Sequence, residues 1–290
     1  MSDKIVITAG LTGALTNKQH NPAVPYRPEE WAAEVKKCED AGAAVIAVHF
    51  RDYETGEATV NSIIMAEVMD AIQSNCDCLI NLSTGVGIGT PHEERKQPVL
   101  QHRPALASLN PGSINFALVN WRTGEIMLDH TYANPMFDTI EMANIMKDKA
   151  IKPENECFSP SHIETVLWLN KYHKIYDGPL HFGLVFGVAG AMQFNVSNLA
   201  NCLALLPPDA TWCGIGIGPN CFKICQTAIA LGAHVRVGLE DNVIVNYRTH
   251  KLARGSWDQV EEAVRLAELV GRSPATPSET RKIFNLPKAS

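Results

Sequence analysis

Short runs of apolar, largely β-branched residues alternate along the chain with segments whose apolar positions recur every three to four residues. Eight runs read as strands, at residues 4–9, 43–49, 78–83, 105–109, 151–158, 180–186, 210–215 and 234–239. Eight helices are expected after them. The first opens at Pro28-Glu29-Glu30, carries Trp31, Val35 and Cys38 on one face and stops at Gly42. The second follows Asn61-Ser62, with Ile64, Val68 and Ile72 at i, i+4 spacing. The third covers 92–100, where Pro98 breaks or bends it. The fourth runs from Asp138 as N-cap through Ile145, and the fifth follows Ser159-Pro160-Ser161. The sixth holds Val196, Leu199, Leu203 and Leu205, and the seventh runs from Pro219 to Gly232. The last covers 256–270, with Val260, Ala263, Val264 and Ala267 inward.

Strict strand–helix alternation without a dinucleotide-binding glycine pattern predicts the α/β class: a (β/α)₈ TIM barrel forming a single catalytic domain over residues 1–290. The stretch after Gly271 reads as a short C-terminal helical appendage packed on the barrel. The loop from Gly10 to Arg27 is long and polar, and loops of that length on a barrel usually cover a site.

The chain has 290 residues, 46% of them hydrophobic, enough for one large core. A net charge of −6 argues against a nucleic-acid or anionic-membrane surface. No apolar run approaches the roughly 18–20 residues of a membrane span. Met1-Ser2-Asp3-Lys4 leads straight into a strand, so no signal peptide is read and a cytoplasmic protein is expected. The eight cysteines lack zinc or redox spacing and read as free thiols; Cys38, Cys202 and Cys213 fall in apolar patterns.

On a barrel the C-terminal strand ends form the active face. In chain order they offer Thr8, His49, Asn81 and Ser83, Ser108 and Asn110, Glu156, Arg236, Glu240 and Asp241. His49 and Glu240 together could bind a transition metal, or His49 could simply be a buried histidine hydrogen-bonded to Glu240. Asp241 is then free to act as a base. Arg236 faces the same side as Glu240, either clamping a carboxylate or pairing structurally with a strand-end acid. The loops Ser83-Thr84-Gly85-Val86-Gly87-Ile88-Gly89, Gly187–Met192 and Gly214–Gly218 offer backbone N–H groups and room for a large cosubstrate. No lysine stands at a predicted strand end, which disfavours a Schiff-base aldolase.

Several segments together carry a family resemblance. They are Ile7-Thr8-Ala9-Gly10-Leu11-Thr12-Gly13-Ala14, His49-Phe50-Arg51-Asp52, Ser83-Thr84-Gly85, Leu109-Asn110-Pro111-Gly112 and Val235-Arg236-Val237-Gly238-Leu239-Glu240-Asp241-Asn242. In order and over essentially the whole chain, they resemble the β-keto acid cleavage enzymes, such as the 3-keto-5-aminohexanoate cleavage enzyme. The resemblance implies a TIM barrel binding Zn²⁺, which condenses a β-keto acid with acetyl-CoA to give acetoacetate and a new acyl-CoA. It implies His49 and Glu240 as metal ligands, Ser83, Gly85 and Ser108 as keto-acid contacts, and Arg236 with Asp241 as the acid/base pair. It also implies a homo-oligomer, a tetramer.

The chain departs from that pattern at three places. Ala47 stands where the family has the first histidine of His-x-His, and His20 or water is the candidate replacement. Leu15 stands where the family has an acid, which points to a changed base arrangement or a more apolar substrate. Pro219-Asn220-Cys221 replaces an Arg followed by Trp-His. Two other readings therefore accompany the cleavage enzyme: a divergent lyase or aldolase-like barrel with weak or no metal, and a non-catalytic small-molecule binding barrel.

Overall fold

A computed structural model describes residues 3–120 and 123–287. Eight parallel strands close into a barrel: β1 (Ile7–Gly10), β2 (Val45–Val48), β3 (Leu79–Leu82), β4 (Leu106–Leu109), β5 (Lys152–Cys157), β6 (His181–Phe186), β7 (Thr211–Gly216) and β8 (His234–Val237). Each pairs with its successor, and β8 pairs with β1, with Arg236 opposite Thr8. All eight lie within the runs expected to be strands, give or take a residue. Burial on both faces is what a parallel sheet wrapped in helices demands.

The helices are α1 (Pro28–Ala41), α2 (Ser62–Gln73), α3 (His92–Arg95), α4 (Gln97–Gln101), α5 (Met136–Asp148), α6 (Pro160–His173), α7 (Val196–Leu205), α8 (Cys221–Ala230), α9 (Ser256–Leu269) and α10 (Pro277–Ile283). Their buried stripes follow the sequence pattern: Trp31, Val35 and Cys38 on α1, and Ile64, Val68 and Ile72 on α2. Gly42 ends α1 at φ 110°, a conformation that favours glycine. Three boundaries differ from expectation. The third helix is split at Lys96, with Pro98 in the first turn of α4. Pro135, not Asp138, is the N-cap of α5, and Asp138 instead sits in the first turn, where its charge suits the helix dipole. The seventh helix starts at Cys221, because Gly218–Asn220 forms a 3₁₀ turn first.

A further element breaks the alternation. Ile114–Val119 and Ile126–Tyr132 form an antiparallel hairpin between β4 and α5, with Phe116 opposite His130 and Ile114 opposite Tyr132. Ala117 also bridges to Ala189, tying the hairpin to the loop after β6.

An apolar cluster closes the base of the barrel. Val6, Val45, Leu79 and Leu106 pack there around Phe284, which follows α10. The Phe284 ring lies 4.1 Å from the His181 ring and 5.2 Å from that of His234. The appendage is thus a plug, and it leaves the opposite, C-terminal end of the barrel as the open one. Midway up, Asn81 donates to Glu154, and His181 faces Glu154 at 3.5 Å. All eight cysteines are free, and all but Cys76 are buried. Among the described residues, no helix is long and apolar enough to cross a membrane.

Candidate active site

The C-terminal strand ends enclose a cavity of about 430 Å³ whose lining includes His49, Ser83, Gly85, Asn110, Glu156, Arg236, Glu240 and Asp241. Its floor is organised by one guanidinium. Arg236 Nε and Nη2 donate to the two oxygens of Asp241 at 2.8 and 2.7 Å. Nη1 donates to Glu156 at 2.8 Å, and Nη2 reaches Glu240 at 3.2 Å. Three carboxylates around one buried cation cannot all be ionised cheaply. Burial, only partly offset by Arg236, pushes Glu156 up to about 7 and Asp241 up to about 6. Burial also opposes the charge of Glu240, but Arg236, His49 and Arg51 outweigh it and hold that carboxyl below its usual range.

The turn after β8 owes its shape to Gly238. At φ 139° a side chain there would collide with the Gly10 carbonyl. This close approach lets Glu240 N–H donate to Gly10 O at 3.0 Å, which turns the Glu240 carboxylate toward His49. Thr16 Oγ1 donates to Glu240 O, and the buried Arg51 donates to the carbonyls of Gly13 and Thr16. The long first loop is therefore pinned over the floor, as its length suggested.

His49 is held by its neighbours. Thr12 Oγ1 donates to its carbonyl at 2.6 Å, and its Nδ1 pairs with Val86 O at 3.0 Å. A carbonyl only accepts, so Nδ1 carries the proton, and in the neutral ring Nε2 presents a lone pair. That lone pair faces Glu240 Oε1 at 3.5 Å, acceptor against acceptor. Glu240 Oε2 is buried with no protein partner. A proton or a cation between the two side chains resolves the confrontation. Two ligands at about 2.0–2.1 Å from a tetrahedral zinc stand about 3.4 Å apart, so the pair fits one edge of such a site. A third donor is not offered: Ala47 is a buried methyl two residues before His49. His20 lines the same cavity, but it is exposed and its Nδ1 is engaged by Asn17 N–H. Among the described residues, no three His, Cys, Asp or Glu side chains converge as a metal site.

Ser83 lines the cavity, and its Oγ accepts from Gly85 N–H at 3.1 Å, leaving its own proton free for a ligand. Val86, which aims its carbonyl at His49, sits at φ 52°, a strained position for a β-branched residue. Ser108 differs from expectation. Its Oγ accepts from Thr84 N–H at 3.0 Å behind the loop, and it does not line the cavity. The neighbouring strand end, Asn110, does. It is 5% exposed, and neither amide atom has a protein partner.

Asn110 and Glu156 stand at strand ends in the sequence pattern, which gives neither of them a task. That pattern leaves out the hairpin side chains Phe116, Leu118, His130 and Tyr132, which form one wall of the cavity. It also leaves out Arg95, which donates to Thr84 O, Ala133 O, Tyr132 and Asn134 and so fastens the hairpin to the Ser83 loop. The apolar run Phe116-Ala117-Leu118-Val119 was the available signal.

The chain matches the family model for beta-keto acid cleavage enzyme over residues 4–286. It is 37% identical to a 3-keto-5-aminohexanoate cleavage enzyme of Acetoanaerobium sticklandii, covering 99% of this chain and 100% of the relative. It is 34% identical to a 3-oxoadipate:acetyl-CoA acetyltransferase of Cupriavidus necator, covering 99% and 96%. Among solved structures, ObcA in a ternary complex with a C4-CoA adduct and oxalate superposes with a TM-score of 0.74 at 20% identity, over 91% of this chain and 68% of that one. This last likeness concerns the fold alone. On the family match and the near-full-length relatives together, the chain belongs to the β-keto acid cleavage enzyme family.

Proposed function

We propose that the protein condenses a β-keto acid with acetyl-CoA and cleaves the adduct to acetoacetate and a new acyl-CoA. The observation that carries this reading is the floor cluster: a base candidate, Asp241, held by a fork of hydrogen bonds from Arg236 and raised to about 6 by burial. A base with that affinity accepts and returns a proton near neutral pH. Asp241 takes a proton from C2, between the two carbonyl carbons of the keto acid. C2 then bonds to the acetyl carbon as the thiolate leaves, and the thiolate attacks C3. The C2–C3 bond breaks, and the proton returns to C2. Arg236 steadies the charge as it moves between Asp241 and the substrate. The Ser83 hydroxyl, oriented by Gly85 N–H, and the unpartnered Asn110 amide hold the carboxylate and carbonyl oxygens, and Ser108 supports them through Thr84.

Zinc enters as part of the proposal, held by His49 and Glu240 and completed by water or substrate. When bound, it would act as a Lewis acid on the β-keto oxygen. The rival reading keeps the barrel and dispenses with metal, and Ala47 favours it. Exposed apolar side chains on the hairpin and α5 (Ile126 and Met127, each 63% exposed, and Phe137, 87%) support assembly into a homo-oligomer, with a tetramer proposed. Action in the cytoplasm is part of the same reading.

The test incubates purified protein with acetyl-CoA and a panel of β-keto acids and follows acetoacetate and acyl-CoA by mass spectrometry. Matched formation of the two products supports the proposal, and their absence sinks it. Activity that survives a chelator and metal-free buffers favours the rival reading.

A further inference from the structure

The floor and wall of the cavity differ in chemistry. Every Asp, Glu, Lys or Arg on the lining belongs to the floor cluster of Glu156, Arg236, Glu240 and Asp241, where the charges pair with one another. Among the described residues the wall above has no fixed charge. It is built from Leu15, Ile88, Phe116, Leu118, Ile217 and Ile244, with His20, His130, Tyr132 and Tyr247 its titratable members. Around Phe116 and Leu118 the backbone is paired within the hairpin ladder and offers a ligand no free donor or acceptor, so polar contacts on this wall are left to the side chains of His130 and Tyr132. A pantetheine arm, with two amides to satisfy, gains little there, whereas a hydrocarbon chain loses only water.

We propose that the β-substituent of the keto acid is an uncharged, predominantly apolar chain, received by the hairpin wall. This rests on the reaction proposed above and deepens it. A substrate anchored on the floor by its carboxylate and keto oxygen must send its substituent toward the wall. An ammonium or second carboxylate on that chain would lose its hydration without meeting an opposite charge. This chain is therefore set apart from relatives whose names specify an amino- or carboxyl-bearing keto acid.

The experiment compares kcat/KM for 3-oxohexanoate, 3-oxoadipate and 3-keto-5-aminohexanoate with acetyl-CoA at pH 8, above the ordinary imidazole range. The substrate with the uncharged substituent, 3-oxohexanoate, is expected to lead each of the other two by at least about 100-fold. A substrate with a charged substituent that equals or betters 3-oxohexanoate, with acyl exchange intact, overturns the inference and leaves the reaction standing. No exchange with any of the three overturns both. A Leu118→Arg variant supplies a second readout. Relative to 3-oxohexanoate, its kcat/KM for 3-oxoadipate is expected to rise at least about tenfold. An unchanged ratio in a variant of normal melting temperature overturns the assignment of the hairpin wall to the acyl chain.

Discussion

Arg236 and Asp241 are joined by two parallel hydrogen bonds, of 2.8 and 2.7 Å, across the turn that ends the eighth strand. The fork fixes the plane of the carboxylate while burial raises its proton affinity. Orientation and basicity thus come from the same pair. Asp241→Asn keeps the shape and removes the base. The expected result is a fall in kcat of about 10²–10⁴-fold with little change in KM for the keto acid. Arg236→Lys keeps a positive charge but loses the fork, and a large loss is expected there too. Steady-state kinetics on both variants checks this, and an Asp241→Asn enzyme with near-normal kcat would remove Asp241 from the chemistry.

Ala47 in β2 and His49, just past its end, are two residues apart and project to the same side. Ala47→His should add a third donor to the pair formed by His49 and Glu240. Zinc affinity, read by competition with a chromophoric chelator, is expected to rise at least about 100-fold over the unmodified protein. His49→Ala should abolish whatever zinc binding the unmodified protein has. Equal affinities for the Ala47→His and unmodified proteins would mean that the His49–Glu240 edge is not a metal edge.

Barrel, strand order and strand-end chemistry were legible because each depends on local pattern. The second, sixth and eighth runs are largely apolar on both faces, β5 is polar but bracketed by Ile151 and Phe158, and a parallel barrel brings all eight ends together whatever the loops do. His49, Arg236, Glu240 and Asp241 therefore fell onto one floor as expected. The hairpin was not legible because its strands are only partly buried: Phe116-Ala117-Leu118-Val119 is a short apolar run outside the eightfold strand–helix alternation, and Ile126–Tyr132 alternates between exposed and half-buried positions. Ser108 and Asn110 show a finer limit. Both are polar residues at the same strand end with the same parity, and only the path of the Ser83–Val86 loop decides which meets the cavity and which is covered by Thr84.

Asn110 is buried on the cavity lining with an amide that no protein group satisfies. Such a group costs stability unless a ligand or water completes it. Asn110→Ala is therefore expected to leave the melting temperature unchanged or slightly raised, and to raise KM for the keto acid about tenfold or more. Calorimetry beside kinetics separates the two effects. A clear loss of Tm with unchanged KM would make Asn110 a structural residue.

At the other end of the barrel, His234 Nδ1 accepts from Val6 N–H at 3.1 Å, and its ring meets Phe284 edge-on. Burial, reinforced by His181 and Arg272, lowers its pKa from 6.5 to about 3. The folded protein thus keeps the ring neutral between pH 6.5 and 3, whereas the unfolded chain protonates it. The unfolded state binds more protons in that window, so stability from this group is fully present above pH 6.5 and is lost as pH falls through the window. The loss by pH 5 is about 2 kcal/mol, from roughly 1.4 kcal/mol per unit. His234→Gln retains an acceptor for Val6 N–H and has no proton to gain. Its urea midpoint should be lower than that of the unmodified protein at pH 7.5, and the gap should narrow or reverse at pH 5. Parallel pH dependences for the two proteins would show that His234 does not carry the acid sensitivity of the barrel base.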